Sequence, residues 1–184
     1  MQLPAFVSMA MTSLVFRQAG ASPTPGGSTV VEVAPDFQAV HPEAYAVFLR
    51  APRVVLDDTV QKRQKVPGDG NPPPNRPPIT PDNIFVLQCP DAGFLGDCIS
   101  FGAPPGRCVT YSSFNTSQAF VNKYDNQTSS LSTNTGGQCQ FYKFMGCDNK
   151  GDDRGVSLSY KYNLAIADDD YGGDYDNQIT SWRC

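Results

Sequence analysis

The chain of 184 residues is poor in charge and almost free of histidine. Charged residues make up 17% of it, and 14 Lys and Arg against 18 Asp and Glu give a formal net charge of −4. Because basic residues are not in excess, the chain lacks the positive field that neutralises phosphates, and we expect no nucleic acid partner. The single histidine, His41, lies outside the segment that we expect to fold as the domain. Chemistry that depends on an imidazole is therefore not expected.

Cysteine is missing from the first 88 residues. No two cysteines show the C-x-x-C spacing that structural zinc sites prefer. An even number at scattered spacings instead indicates disulfides formed in an oxidising compartment. The pairing is open from the sequence, which favours only one bridge, Cys89 to Cys98 across a hairpin. The six cysteines are Cys89, Cys98, Cys108, Cys139, Cys147 and Cys184.

Long hydrophobic runs are missing after the N-terminus. Residues 3–16 are an apolar run, and Ala19, Gly20 and Ala21 follow as the small-x-small pattern of a signal-peptidase site. The run is shorter than the ~20 apolar residues that cross a bilayer. We therefore expect a signal peptide over residues 1–21, cleavage after Ala21, and a secreted, extracellular protein without a membrane span. The alternative for this run is a buried amphipathic helix.

Composition divides the remaining chain into three parts. Residues 22–63 would bury little core alone, so we predict a pro-segment or flexible arm, with a strand near 29–33 and a short helix within 44–56. Residues 64–82 form a proline-rich linker that is prone to polyproline II. The dibasic pair Lys62-Arg63 before the linker is a candidate processing site, with cleavage after Arg63.

The cysteine-bearing part, residues 83–184, is predicted to be all-β. With Asp82 included it is also the acidic part, because seven Lys and Arg against twelve Asp in residues 82–184 leave a net charge of −5. Short runs rich in β-branched or aromatic residues, bounded by Gly, Asn, Asp and Pro, predict strands, and no stretch shows a sustained helical period. Such a pattern is typical of a sandwich or barrel. The predicted strands are 84–88, 97–101, 108–112, 138–144, 156–160 and 178–182.

An internal repeat organises this part of the chain. The hexamer DNQTSS at 125–130 recurs as DNQITS at 176–181, 51 residues later. A hairpin that contains a glycine precedes each hexamer, with Gly96 in the first copy and Gly151 in the second. We therefore expect two copies of one four-stranded unit. Their predicted extents are about 83–135 and about 136–184.

The repeated residues resemble those of βγ-crystallin domains. The hexamers match the family's calcium-binding pattern, Asn/Asp-Asn/Asp-x-x-Ser/Thr-Ser, and Phe144 with Gly151 matches the aromatic-x6-Gly corner of its first hairpin. The resemblance covers residues 83–184 and implies a secreted microbial or fungal domain in which two Greek-key motifs form one β-sandwich. Cys89 stands where the first corner would have an aromatic residue, so a disulfide is expected to hold that corner.

The same resemblance implies Ca²⁺ as the cofactor. Ca²⁺ takes 6–8 oxygen ligands, and in the family each site combines the second and third positions of one hexamer with the fifth of the other and a hairpin carbonyl. Because the second position is Asn in both hexamers, we expect an affinity in the ~10⁻⁴–10⁻³ M class or somewhat tighter. Carried over, the ligands are Asn126, Gln127, Ser129, Asn177, Gln178 and Thr180, with carbonyls near Pro90 and Met145; Asp125, Ser130, Asp176 and Ser181 complete the motifs.

Other interpretations of these polar loops are possible. The hexamers could merely satisfy backbone groups where loops enter strands. The acidic runs 148–153 and 168–173 do not have the glycine and oxygen positions of an EF-hand. Two N-x-Ser/Thr sequons occur, of which Asn115 is the predicted glycan site, whereas a glycan on Asn126 would block a proposed calcium ligand.

We expect a monomeric, non-enzymatic calcium-binding protein with a structural or stress-related role. Paired Asp residues could in principle serve a glycosidase, but residues 83–184 contain neither Glu nor His. The resemblance also extends to secreted killer-toxin-like, effector and protease-inhibitor proteins. Such a protein would bind an extracellular protein or a cell-wall component through its loops, here 104–106 and 172–173.

Overall fold

Two β-sheets pack on a shared apolar core. The computed structural model describes residues 33–56, 82–148, 154–166 and 175–184, and these form nine strands. The five-stranded sheet has the order β1 (Arg53–Val55), β3 (Ile99–Ala103), β2 (Ile84–Cys89), β5 (Ser130–Thr133), β8 (Tyr160–Lys161). The four-stranded sheet has the order β4 (Cys108–Thr110), β9 (Ser181–Arg183), β6 (Cys139–Tyr142), β7 (Val156–Leu158).

The two repeat units exchange one strand. Strands β2 to β5 form the first unit and β6 to β9 the second, but β4 pairs with β9 and β8 pairs with β5. The third strand of each unit therefore belongs to the sheet of the other unit. This arrangement confirms the predicted fold class, an all-β sandwich built from two Greek-key motifs and held by disulfides.

Side chains alternate between the two faces of β2, as the pleat of a strand requires. Val86 points into the core shared by the sheets, whereas Phe85 and Leu87 belong to a second cluster on the outer face. The lone tryptophan, Trp182 on β9, is buried in the shared core with its ring centroid 5.4 Å from that of Phe101.

All six predicted strand regions contain strands, with ends shifted by a few residues. The polar sequence Ser-Leu-Ser-Thr of β5 was not predicted as a strand, although all four residues are buried. Helix α3 (Gln118–Tyr124), the third α-helix among the described residues, was also missed. Its Ser117 accepts a hydrogen bond from Phe120 N, but seven residues are too few to show a helical period.

Residues 33–56, part of the predicted pro-segment or flexible arm, are folded: their helices pack on the outer face of the five-stranded sheet, and Leu56 is buried in the shared core. They form α1 (Phe37–Val40), α2 (Pro42–Arg50) and β1, which pairs in parallel with β3. The helix ends at Arg50 because Pro52 disfavours helical backbone at Ala51. His41 is therefore part of the folded unit, contrary to expectation, and its ring stacks on Tyr160 at 3.8 Å. The predicted strand at 29–33, the signal peptide with Ala21, Arg63 and nearly all of the linker lie outside the described residues.

Three disulfides staple the sandwich. Cys89 pairs with Cys98, as the sequence favoured, and the others join Cys108 to Cys147 and Cys139 to Cys184. The second bridge links the two repeat units, and each bridge of this kind is worth about 2–4 kcal/mol. Among the described helices, none is long and apolar enough to cross a membrane.

Candidate metal centre

The two hexamers occupy equivalent turns that lead into strands. The first runs from the end of α3 into β5, and the second runs from a turn at 175–178 into β9. Asn126 and Asn177, at the second position of each, have φ values of 58° and 54°. This left-handed conformation is one that Asn adopts more readily than most residues, which gives a structural reason for Asn at both positions.

Backbone hydrogen bonds join the two hexamers reciprocally. Asn126 N donates to Ile179 O (3.1 Å), and Asn177 N donates to Thr128 O (3.0 Å). The donor is the second residue of one hexamer and the acceptor is the fourth residue of the other. The two loops are therefore related by the sequence repeat and lie against each other.

Side chains of the hexamers meet in the same crossed manner. Thr180 Oγ1 donates to Asn126 Oδ1 at 2.9 Å, and Ser129 Oγ donates to Asn177 Oδ1 at 3.4 Å. Both hydroxyl-bearing residues are buried, whereas both asparagines are exposed. The structure thus brings together four of the six nominated ligands, second position to fifth position, in two places. The remaining two, Gln127 and Gln178, are exposed residues that follow the asparagines.

The last serine of each hexamer ties its loop to a hairpin. Ser130 Oγ accepts from Phe94 N (3.0 Å) and donates to Asp91 O (2.7 Å). In the second unit, Ser181 Oγ accepts from Cys147 N (2.9 Å) and donates to Phe144 O (2.5 Å). These serines therefore hold the hairpins beside the hexamers.

These contacts correct the predicted hairpin alignment. Ser129 N donates to Cys89 O and Thr180 N donates to Tyr142 O, both at 2.9 Å. Tyr142, and not Phe144, is thus the counterpart of Cys89. Tyr142 is buried, whereas Phe144 is 40% exposed. The prediction was wrong because the spacing to Gly151 does not reveal that β6 ends at Tyr142.

The correction extends to the nominated hairpin carbonyls. Because Cys89 corresponds to Tyr142, the residue after each is Pro90 in the first unit and Lys143 in the second. Met145 is therefore not the counterpart of Pro90. Gly151, the other residue of the predicted corner, lies outside the described residues. The ring of Tyr142 instead lies against Gly155, where an added Cβ would stand 2.9 Å from it.

The first residue of each hexamer carries a carboxylate with an unsatisfied oxygen. Asp125 Oδ1 and Asp176 Oδ1 are buried and have no hydrogen-bond partner. Burial raises the pKa of Asp125 above its usual value. Unpaired buried polar atoms cost free energy, so each loop has an oxygen that a cation would satisfy.

The donor set fits a hard cation. Carboxylate, amide and hydroxyl oxygens suit Ca²⁺, whereas zinc and copper prefer nitrogen and sulfur. Within the described residues, no group of three His, Cys, Asp or Glu side chains comes together. Any metal held at the hexamers would therefore depend on Asn, Ser, Thr and backbone oxygens as well as the two Asp residues.

A buried polar cluster that the sequence analysis missed lies beneath the first hexamer. Tyr111 OH donates to Gln88 Oε1 (2.6 Å), and Thr128 Oγ1 donates to the same oxygen (3.1 Å). In the second hexamer the residue equivalent to Thr128 is Ile179, which is fully buried in the apolar core. This Thr-to-Ile difference between the hexamers was the available signal that the two loops are anchored differently.

The predicted glycan site and the two predicted binding loops belong to neither hexamer in sequence. Asn115 is exposed in the segment before α3, as a glycan site requires, and Thr128 of the second sequon is buried. The loop 104–106 connects β3 to β4, whereas 172–173 lies outside the described residues.

Comparison with known proteins gives a distant structural likeness. No family model matches the chain, and no curated protein matches it. Among solved structures, the N-terminal domain of protein S is similar over 54% of this chain and 92% of that domain, with 19% sequence identity and a TM-score of 0.38.

Proposed function

We propose that this chain is a secreted, non-enzymatic calcium-binding protein with a structural or stress-related role. The observation that carries the proposal is the crossed pairing of the hexamers, Asn126 with Thr180 and Asn177 with Ser129. A single loop with such a sequence could serve only its own backbone. Two loops that exchange side-chain oxygens at equivalent positions form two equivalent oxygen clusters.

Each cluster would hold one Ca²⁺. Asn126 and Thr180 would contribute to one site, and Asn177 and Ser129 to the other, with backbone oxygens of Gln127 and Gln178 as further ligands. When bound, the metal supplies positive charge close to the hexamer carboxylates. The serines at the sixth positions hold the hairpins beside the hexamers.

A structural role follows from the composition of the sites. Each site takes side chains from both repeat units, so a bound ion would link the two units in addition to the Cys108–Cys147 bridge. A ligand that binds only the folded state raises the free energy of unfolding. Disulfides and calcium would together stabilise a domain suited to an oxidising, calcium-rich extracellular environment.

Calorimetry and thermal unfolding test this proposal directly. The disulfide-intact chain starting at residue 22 is titrated with Ca²⁺ and, as the ionic control, with Mg²⁺. We expect a saturable heat with Ca²⁺ and a Tm that rises with its concentration; a site at 100 times its Kd adds about 2.7 kcal/mol. Thr180→Val, which removes one hydroxyl, should abolish half of the heat. Absence of heat and an unchanged Tm at millimolar Ca²⁺ would refute the proposal.

A further inference from the structure

Residues 33–56, here called the arm, cover an apolar patch on the outer face of the five-stranded sheet. Val47 and Phe48 of α2 are buried in the same cluster as Phe85 and Leu87 of β2. The rings of Phe48 and Phe85 meet edge to face, with centroids 6.3 Å apart. Without the arm, these two β2 side chains would face solvent.

The arm also completes a sheet edge. Its β1 pairs in parallel with β3, and the pairing is extended by hydrogen bonds from Ser100 N to Pro52 O (2.9 Å) and from Leu56 N to Gly102 O (2.8 Å). Addition of a strand to an exposed edge is a recurring way in which proteins bind peptides. The backbone of β3 would select an extended segment, and the apolar patch would select its helix.

Polar contacts fix the other end of the arm. Tyr160 OH donates to Glu43 Oε1 at 2.5 Å, and the same ring stacks on His41. Ala34 N donates to Asn134 O at 2.9 Å. The arm is thus held on β3, on β8 and on the loop after β5, which gives it a defined orientation.

The connection between the arm and β2 is far longer than the geometry needs. Val55 and Phe85 both pair with Gly102, from opposite sides, so they lie two strand spacings apart, about 10 Å. The 25 residues from 57 to 81 could reach about 80 Å when extended. All six cysteines lie beyond this connection. The arm is therefore positioned by its own contacts, because its connection to β2 is long and no disulfide joins it to the rest of the domain.

We infer that the outer face of the five-stranded sheet is a peptide-docking site whose ligand is residues 33–56. In the intact chain the site is occupied by the chain's own arm. When the connection is cut, the arm remains bound as a separate chain, and the site can also take the same peptide from solution. The recognised class of ligand is an amphipathic helix followed by a short strand that pairs in parallel with β3.

Cleavage of the connection tests the inference. A recognition sequence for a specific protease is placed within residues 57–81 of the chain starting at residue 22, and a fluorescent peptide of residues 33–56 is added before and after cleavage. We expect the cut arm to coelute with the remainder at micromolar concentration. We also expect peptide uptake by the cut protein to exceed that by the intact protein at least about tenfold, because tethering gives the intact arm a millimolar effective concentration. Separation of the arm on cleavage, or uptake that is equal in the two forms or absent from both, would overturn the inference.

Neighbouring residues of α2 provide a matched pair of peptide variants. Phe48 is 1% exposed and Leu49 is 57% exposed. In the peptide, Phe48→Ala should weaken binding to the cut protein by at least about tenfold, because it removes the side chain that fills the patch. Leu49→Ala should bind like the natural sequence. Equal losses for the two variants would show that the peptide does not dock as the arm does.

Discussion

The hydroxyl of Thr180 donates a hydrogen bond to Oδ1 of Asn126, which lies 54 residues earlier in the other repeat unit, at 2.9 Å. Ser129 and Asn177 repeat this contact in the opposite sense at 3.4 Å. Neither hexamer therefore satisfies its polar groups alone. The two Greek-key units are therefore joined by hydrogen bonds at the hexamers, where the side-chain oxygens of both units lie close together.

Changing Asn126 or Asn177 to Asp should strengthen calcium binding and lower the free energy of unfolding of the metal-free protein. The added charge attracts the cation, whereas without metal it repels the neighbouring hexamer carboxylate. We expect each variant to bind Ca²⁺ about tenfold more tightly, which is ~1.4 kcal/mol, as measured by calorimetry. Asn115→Asp carries the same charge change at an exposed residue outside both hexamers and should leave the affinity unchanged. Weaker binding by both hexamer variants would contradict the proposed ligands.

Ser181→Ala should destabilise the fold by about 1–3 kcal/mol, because Cys147 N and Phe144 O lose the partner that they share. The free energy of unfolding in urea measures the loss. Ser157→Ala changes an exposed serine on β7 and should stay within about 0.5 kcal/mol of the natural protein. Similar losses for the two variants would mean that the two hydrogen bonds of Ser181 add nothing to the free energy of unfolding.

Asp125→Asn should change how stability depends on pH. Burial raises the pKa of Asp125 in the folded state, so the folded chain binds this proton more tightly than the unfolded chain, whose Asp titrates near about 4. The free energy of unfolding without metal therefore falls as pH rises from about 4 through the raised pKa. The variant lacks this fall and should be more stable than the natural protein at pH 7 but not below the unfolded-state pKa. Urea unfolding in a calcium-free buffer at several pH values measures both.

The same variant should bind calcium more weakly, because it removes a negative charge from the site. Asp36→Asn removes the same charge at an exposed residue of the arm that belongs to neither hexamer, and it serves as the control. If the free energy of unfolding of Asp125→Asn depends on pH as that of the natural protein does, burial does not raise the pKa of this carboxylate.

Two glycines separate backbone strain from steric overlap. Gly155 and Gly106 both have φ of +77°, but an added Cβ at Gly155 would lie 2.9 Å from Phe141 O, whereas at Gly106 nothing lies within 4 Å. Gly106→Ala should cost about 1–2 kcal/mol for the left-handed backbone. Gly155→Ala should cost a further ~1–3 kcal/mol for overpacking against Tyr142 and its neighbour. Thermal unfolding of both variants gives the difference, and equal costs would mean that the close approach at Gly155 relaxes freely.

Much of the sandwich was predictable because strands alternate and repeats recur. Alternating or β-branched runs placed six strands, and the hexamers placed two equivalent turns. Strand β5 was not predicted because serines are typical of exposed positions, although Ser130 is buried and hydrogen-bonded to the hairpin. The arm escaped because a few apolar residues cannot form a core alone, and the sequence does not show that β2 has an outer apolar face to receive them.

The sequence by itself determined the repeat, the number of cysteines and the residue types at the hexamers, because these depend only on local order along the chain. Only the tertiary structure decided which oxygens meet, since Asn126 and Thr180 come together through strand exchange between units. It also decided that Tyr142 corresponds to Cys89 and that residues 33–56 belong to the fold. Those outcomes depend on packing between segments that are distant in sequence, and the spacing of residues along the chain does not predict which segments pack together.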